Sequence, residues 1–271
     1  MQAFEPGIYC LRMLRERLNK AYTQRGVLYD MSLKQLKEKY AGSKFGIWWA
    51  VITPVILAVS INFVFVSVFK IGIQNYTLFV LAGILPWFFF NNALSEATDA
   101  FIVNSSILQQ GIFPREFIPV SSVLANLFNF CIGLIILLPV FIALNPKIIL
   151  LLPLLFILII LHFIFTLGLG LFCSSLGVYL RDLKQFLSII FMFWFWITPV
   201  FYSLEMVDKR FQWVCLSNPM TYYINAYQNI LFKSASPSMP QMLLIFAGSL
   251  ISVIIGLTVF FKCEPGLLKR I

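Results

Sequence analysis

Runs of apolar residues too long for an ordinary soluble core dominate this chain. They fall at about residues 47–69, 76–94, 120–144, 149–178, 185–204 and 242–261. A helix needs about 20 such residues to cross a hydrocarbon layer. Backbone polar groups in hydrocarbon must be paired within the protein, which leaves helices or a closed barrel. The runs are continuous rather than alternating, so the barrel pattern is rejected. The expected fold class is an all-α integral membrane protein with six transmembrane helices. Composition agrees, with 60% hydrophobic and only 11% charged residues and a mean hydropathy of +0.89. Soluble domains carry about 25% charged residues. No low-complexity or repeated stretch marks a second domain, so residues 1–271 read as one transmembrane domain.

The 20 Lys and Arg residues divide unevenly between the two sides of that layout. Nine lie in the first 46 residues, and Arg115, Arg181, Lys184, Lys262, Lys269 and Arg270 join them on one side. Only Lys70, Lys147, Lys209, Arg210 and Lys233 fall on the other. The basic side faces the cytoplasm, which places both termini there. Anionic inner-leaflet lipid accounts for the net charge of +9, so no nucleic-acid partner is required. The opening segment carries acids and bases before any long apolar core and does not read as a cleaved signal peptide. Cys10, Cys131, Cys173, Cys215 and Cys263 have no metal or redox spacing and read as small hydrophobes.

Two further segments are amphipathic. In residues 27–40, Tyr29, Leu33, Leu36 and Tyr40 share helical spacing, while Asp30, Lys34, Lys37 and Glu38 occupy much of the other surface. Such a helix lies in the membrane interface plane, either as a plain anchor or as an anchor that also supports a partner's docking surface. Residues 213–232 are too polar, and too broken at Asn218–Pro219, for a full crossing. Their aromatics Tyr222, Tyr223 and Tyr227 suit the headgroup level, and Pro219 suits a first helical turn. A short external re-entrant hairpin and an ordinary loop are the two readings.

No catalytic constellation is visible. There is no phosphate-binding GxxxxGK[ST] loop, so any ATPase must be another chain. The single histidine, His162, sits in an apolar run and reads as a polar link to a neighbouring helix. Glu96 and Asp99 are the nearest approach to buried relay acids, and read as charges at the cytoplasmic end of the second span. Aromatic residues are more informative, at 17% of the chain and concentrated around Trp87, Phe88, Trp194 and Trp196. They suit either bulk packing or a passage for sugars, whose CH faces stack on rings. The connection SSILQQGIFPREFIP sets Phe113, Pro114, Arg115 and Glu116 side by side. That mixture of apolar and charged groups can seat in a partner's groove, or simply form an interfacial turn.

The order KEKYAGSKFGIWWAVITPV, VLAGILPWFFFNNAL, NSSILQQGIFPREFIP, VYLRDLKQFL and LSNPMTYYINAYQNILF resembles the transmembrane subunits of type-2 ABC exporters. The branch that handles O-antigen, capsular polysaccharide and teichoic acid is the most similar. The resemblance implies a homodimer in the bacterial inner membrane, bound by two copies of a separate ATPase that holds MgATP. It implies a lipid-linked polysaccharide as cargo and no cofactor or metal in this chain. Residues 27–40 then correspond to an interface helix, 105–117 to a coupling region, and 207–232 to an external re-entrant pair. Passages in that family run along the first and fifth helices, which adds Trp194 and Trp196 to the lining candidates. A type-2 permease for a lipid or drug, and a membrane enzyme acting on lipid-linked sugars, are the alternatives.

Overall fold

The computed structural model describes residues 22–70, 72–110 and 114–267. The chain is all-helical there. An opening helix, α1 (Arg25–Lys39), precedes α2 (Trp49–Asn62), which a 3-10 turn and a π segment extend into one apolar rod, Gly46–Val68. Then come α3 (Tyr76–Val103), α4 (Ser105–Gln110), α5 (Phe117–Leu144), α6 (Ile148–Tyr179) and α7 (Leu183–Ile197). Two short helices, α8 (Gln212–Ser217) and α9 (Pro219–Leu231), lead to α10 (Met239–Leu267). Among the described residues, five helices are long and apolar enough to cross a membrane. The protein is therefore a multi-span membrane protein.

Two boundaries differ most from the expected spans. The run at 185–204 is helical only as far as Ile197. Pro199 disfavours helical geometry in the residue before it, and Thr198 is extended. The helix of 15 residues is about 22 Å long at 1.5 Å per residue, short of a layer about 30 Å thick. The second span instead runs nine residues past the expected end at 94, to Val103. Its extra turns carry Glu96 and Asp99, whose charges are met by Lys39 and Lys184.

Helix α3 is the axis of the fold. In its most apolar stretch 72% of residues are buried, against 17% for the α2 rod. Helices α2, α5, α6, α7 and α9 all pack on it. Among the described residues the α6–α10 pair packs most extensively, and small residues let the two backbones approach closely. A Cβ on Gly256 would stand 2.0 Å from the carbonyl oxygen of Gly168. Ser249 and Ser252 donate across the same seam to the carbonyls of Leu161 (2.9 Å) and Phe165 (3.0 Å).

Candidate functional site

The aromatic candidates converge on a groove of about 310 Å3 between α2, α3 and α7. Trp87, Phe88 and Trp196 line it together with Phe191 and Phe195. Their exposures differ sharply. Trp87 is 2% exposed and packs edge-on against Trp194, ring centres 6.4 Å apart. Trp194 donates its indole N–H to Asn218 Oδ1 at 2.7 Å, which fixes its ring inside the protein. Phe88 is half-buried, whereas Trp196 is 59% exposed. Among the four, Trp196 offers the most open ring surface, and Trp87 and Trp194 brace the wall behind it.

Asn218 and Gln228 hold the chain where α7 stops. Asn218 caps α9 by accepting from Met220 N at 2.9 Å, with Pro219 in the first turn. Its amide donates to Thr198 Oγ1 at 2.8 Å. Gln228 donates to the carbonyls of Pro199 and Val200, both at 3.1 Å, and the Tyr76 hydroxyl donates to that of Phe201. Irregular backbone among membrane helices persists only when the protein satisfies its polar groups. These side chains do so. In the sequence Gln228 stands among Asn225, Tyr227 and Asn229, so nothing local distinguishes it from its polar neighbours.

Of the α9 aromatics, Tyr222 is half-buried, but Tyr223 and Tyr227 are 1% and 0% exposed. Those two do not lie at a headgroup surface. They contact the ring of His162, with centres 4.9 and 5.8 Å away. Among the described residues neither ring nitrogen of His162 has a hydrogen-bond partner, so the expected polar link is not made there. Its neighbours Phe89, Phe90 and Tyr223 hold it by ring packing.

At the opposite end, α1 lies against α5 and α3. Leu36 is buried, Leu33 and Tyr40 are half-buried, and Tyr29 is exposed with its ring edge-on to Phe128. Ser32 joins the inward face, its hydroxyl donating to Leu28 O at 2.7 Å. Gln35 donates to Ser121 Oγ at 2.9 Å, and Lys39 to Asn126 Oδ1 at 2.8 Å. Lys39 also pairs with Glu96 at 2.8 Å. Burial, with the Glu96 charge adding to it, raises the Tyr40 pKa above the ordinary phenol value, and the bond to Asn129 only partly offsets this. The hydroxyl therefore stays a neutral donor to Asn129. Beside α1, Lys184 at the start of α7 pairs with Asp99.

Of the coupling candidates, Phe113 lies outside the described residues. Pro114, Arg115 and Glu116 are half-buried just before α5. Arg115 reaches the end of α10, with NH1 donating to Glu264 O at 3.2 Å and standing 3.8 Å from Glu264 Oε1. Replacing Arg115 by Glu sets two like charges at that contact. The coupling role that the family resemblance implies for this loop predicts that export with a partner ATPase falls about fivefold or more in this variant, the lower end of ordinary inter-site coupling, with membrane insertion intact. Unchanged export and partner-dependent ATPase activity would remove this loop from the coupling path. Among the described residues no cluster of His, Cys, Asp or Glu is placed to hold a metal.

Comparison with known proteins matches the family model for the ABC-2 type transporter to residues 28–232. The O-antigen export system permease protein RfbA of Klebsiella pneumoniae is 31% identical over 244 residues, which cover 88% of this chain and 94% of the relative. A protein of the same description from Myxococcus xanthus is 27% identical over 243 residues, covering 89% of this chain and 92% of the relative.

Proposed function

Because the chain belongs to the ABC-2 type transporter family, we propose that it is the permease subunit of an exporter of lipid-linked polysaccharide, of the O-antigen, capsule or teichoic-acid type. As a permease of this family it is not an enzyme. A separate ABC ATPase binds MgATP and drives transport. The observation that carries the cargo is the likeness to O-antigen export permeases along 88% of the chain. The aromatic groove between α2, α3 and α7 supports it, since rings contact sugar faces without demanding one hydrogen-bond pattern.

In this reading two copies form a homodimer in the bacterial inner membrane, each with one ATPase subunit. The Lys and Arg bias supports cytoplasmic termini. Helix α7, completed by residues 198–204, is then the fifth of six spans, and α8 with α9 forms the external re-entrant hairpin. Helix α1 is the interface helix, and residues 105–117 are the coupling region.

Deleting the gene in its host is expected to abolish the surface glycan and to leave lipid-linked glycan inside the cell. Unchanged surface glycan would reject the function. Within the passage, Trp196→Ala is expected to lower export about fivefold or more at matched abundance, taking as the scale for a sugar face the lower end of what a nucleobase stacked on an aromatic ring contributes, about 1–3 kcal/mol. Normal export by that variant would place Trp196 outside the path.

A further inference from the structure

A second cleft, of about 470 Å3, opens between α1, α2, α3 and α5. Its size falls within the range of about 300–1,000 Å3 usual for small-ligand sites. Carboxamides and rings meet in its wall, among them Asn91, Asn92, Asn129, Thr53, Trp49 and Phe88. A carboxamide both donates and accepts hydrogen bonds, as a sugar hydroxyl does.

Some of the polar groups around this cleft are already committed. Asn126 accepts from Lys39 and donates to Glu96 Oε2 at 2.6 Å and to Ser122 O at 2.9 Å. It is framework. Asn129 accepts from the Tyr40 hydroxyl, which leaves its amide hydrogens available. Among the described residues, the side chains of Thr53, Asn91 and Asn92 have no hydrogen-bond partner. Trp49 is anchored by its N–H to Ser43 Oγ at 2.9 Å and by the edge of Phe45, yet its surface is 40% exposed. The cleft thus combines free donors and acceptors with ring surfaces.

Charge narrows the ligand class. Among the described residues, Lys39 is the one charged residue of the lining, and Glu96 already neutralises it at 2.8 Å. A phosphate or carboxylate would find no uncompensated cation there, whereas a neutral hydroxylated ring would need none. We propose that this cleft is a binding site for one uncharged sugar ring. Resting on the exporter reading above, that ring is a residue of the exported glycan. Phe88 and Asn91 also line the α2–α3–α7 groove, so a sugar held in the cleft shares a wall with the proposed passage.

The test uses the full chain in phosphatidylcholine nanodiscs and saturation-transfer NMR. The probes are glucose, galactose, mannose, rhamnose and N-acetylglucosamine, with inorganic phosphate as competitor. At least one sugar is expected to receive saturation, and an equal concentration of phosphate should not displace it. Asn91→Ala combined with Asn92→Ala is expected to weaken binding about tenfold, and Thr53→Val severalfold, as loss of one or two hydrogen bonds predicts. Unfolding temperatures are compared in parallel, and Thr53→Val decides the matter if the double variant does not fold. No saturation of any sugar, displacement by phosphate, or wild-type binding by the folded variants would overturn the site. Absence of sugar binding together with loss of surface glycan on gene deletion overturns the cleft and leaves the exporter reading intact. Sugar binding together with unchanged surface glycan on deletion keeps the cleft as a sugar site and overturns the exporter reading.

Discussion

Gly256→Ala is expected to cost the protein much of its stability, although it adds a single methyl group. The new Cβ would stand 2.0 Å from Gly168 O and 2.8 Å from Gly168 C, so no rotamer change relieves it. Helices α6 and α10 must separate, and their separation also stretches the Ser249 and Ser252 bonds across the seam. Overpacking of well-fitted interiors costs about 1–3 kcal/mol, and a backbone-to-backbone clash belongs at the upper end. Gly248→Ala, on the same helix, is the control. Nothing lies within 4 Å of that added Cβ, and alanine is favoured over glycine in a helix by about 0.8–1.0 kcal/mol. Thermal unfolding of both purified variants should move in opposite directions. Equal unfolding temperatures would show that the seam yields more easily than its geometry implies.

Gln228→Leu should have an effect of similar size for a different reason. Leucine roughly fills the volume but withdraws the donor shared by Pro199 O and Val200 O. A buried polar group left without its partner costs about 1–3 kcal/mol, and the space beside it is tight. A Cβ on Gly83 would lie 2.9 Å from Val200 O and 3.0 Å from Gln228 Nε2, so the strand of chain cannot settle onto α3. The expected result is a lower unfolding temperature and faster labelling of a cysteine introduced at Val200, which is 0% exposed. A variant that keeps residue 200 protected would mean that the Tyr76 and Asn218 bonds suffice.

How much of this was legible in the sequence follows from the range of the interactions involved. Apolar run length is a local property, and it located the long apolar helices Gly46–Val68, Phe117–Leu144 and Ile148–Tyr179 to within three residues and Met239–Leu267 to within six. The cap at Asn218 and the helix start at Pro219 are local too. By contrast, α3 continues to Val103 because Glu96 and Asp99 find cations 57 and 85 residues away in sequence. No window along the chain contains that pairing. The end of α7 was only partly visible. Pro199 marks the break locally, but the apolar run continues past it, and the donors that satisfy the freed carbonyls, Tyr76 and Gln228, are distant in sequence. The aromatic candidates were legible as a class. Their division into an exposed Trp196 and an anchored Trp194 depends on Asn218, 24 residues further on.

The two acids on the last turns of α3 have a mechanical meaning. Glu96 and Asp99 stand three residues apart, so they project from neighbouring points on one face of the helix. One holds Lys39 at the end of α1, and the other holds Lys184 at the foot of α7. Two separate levers are thereby pinned to a common pivot about one turn long. Moving either helix relative to α3 therefore breaks one of these ion pairs.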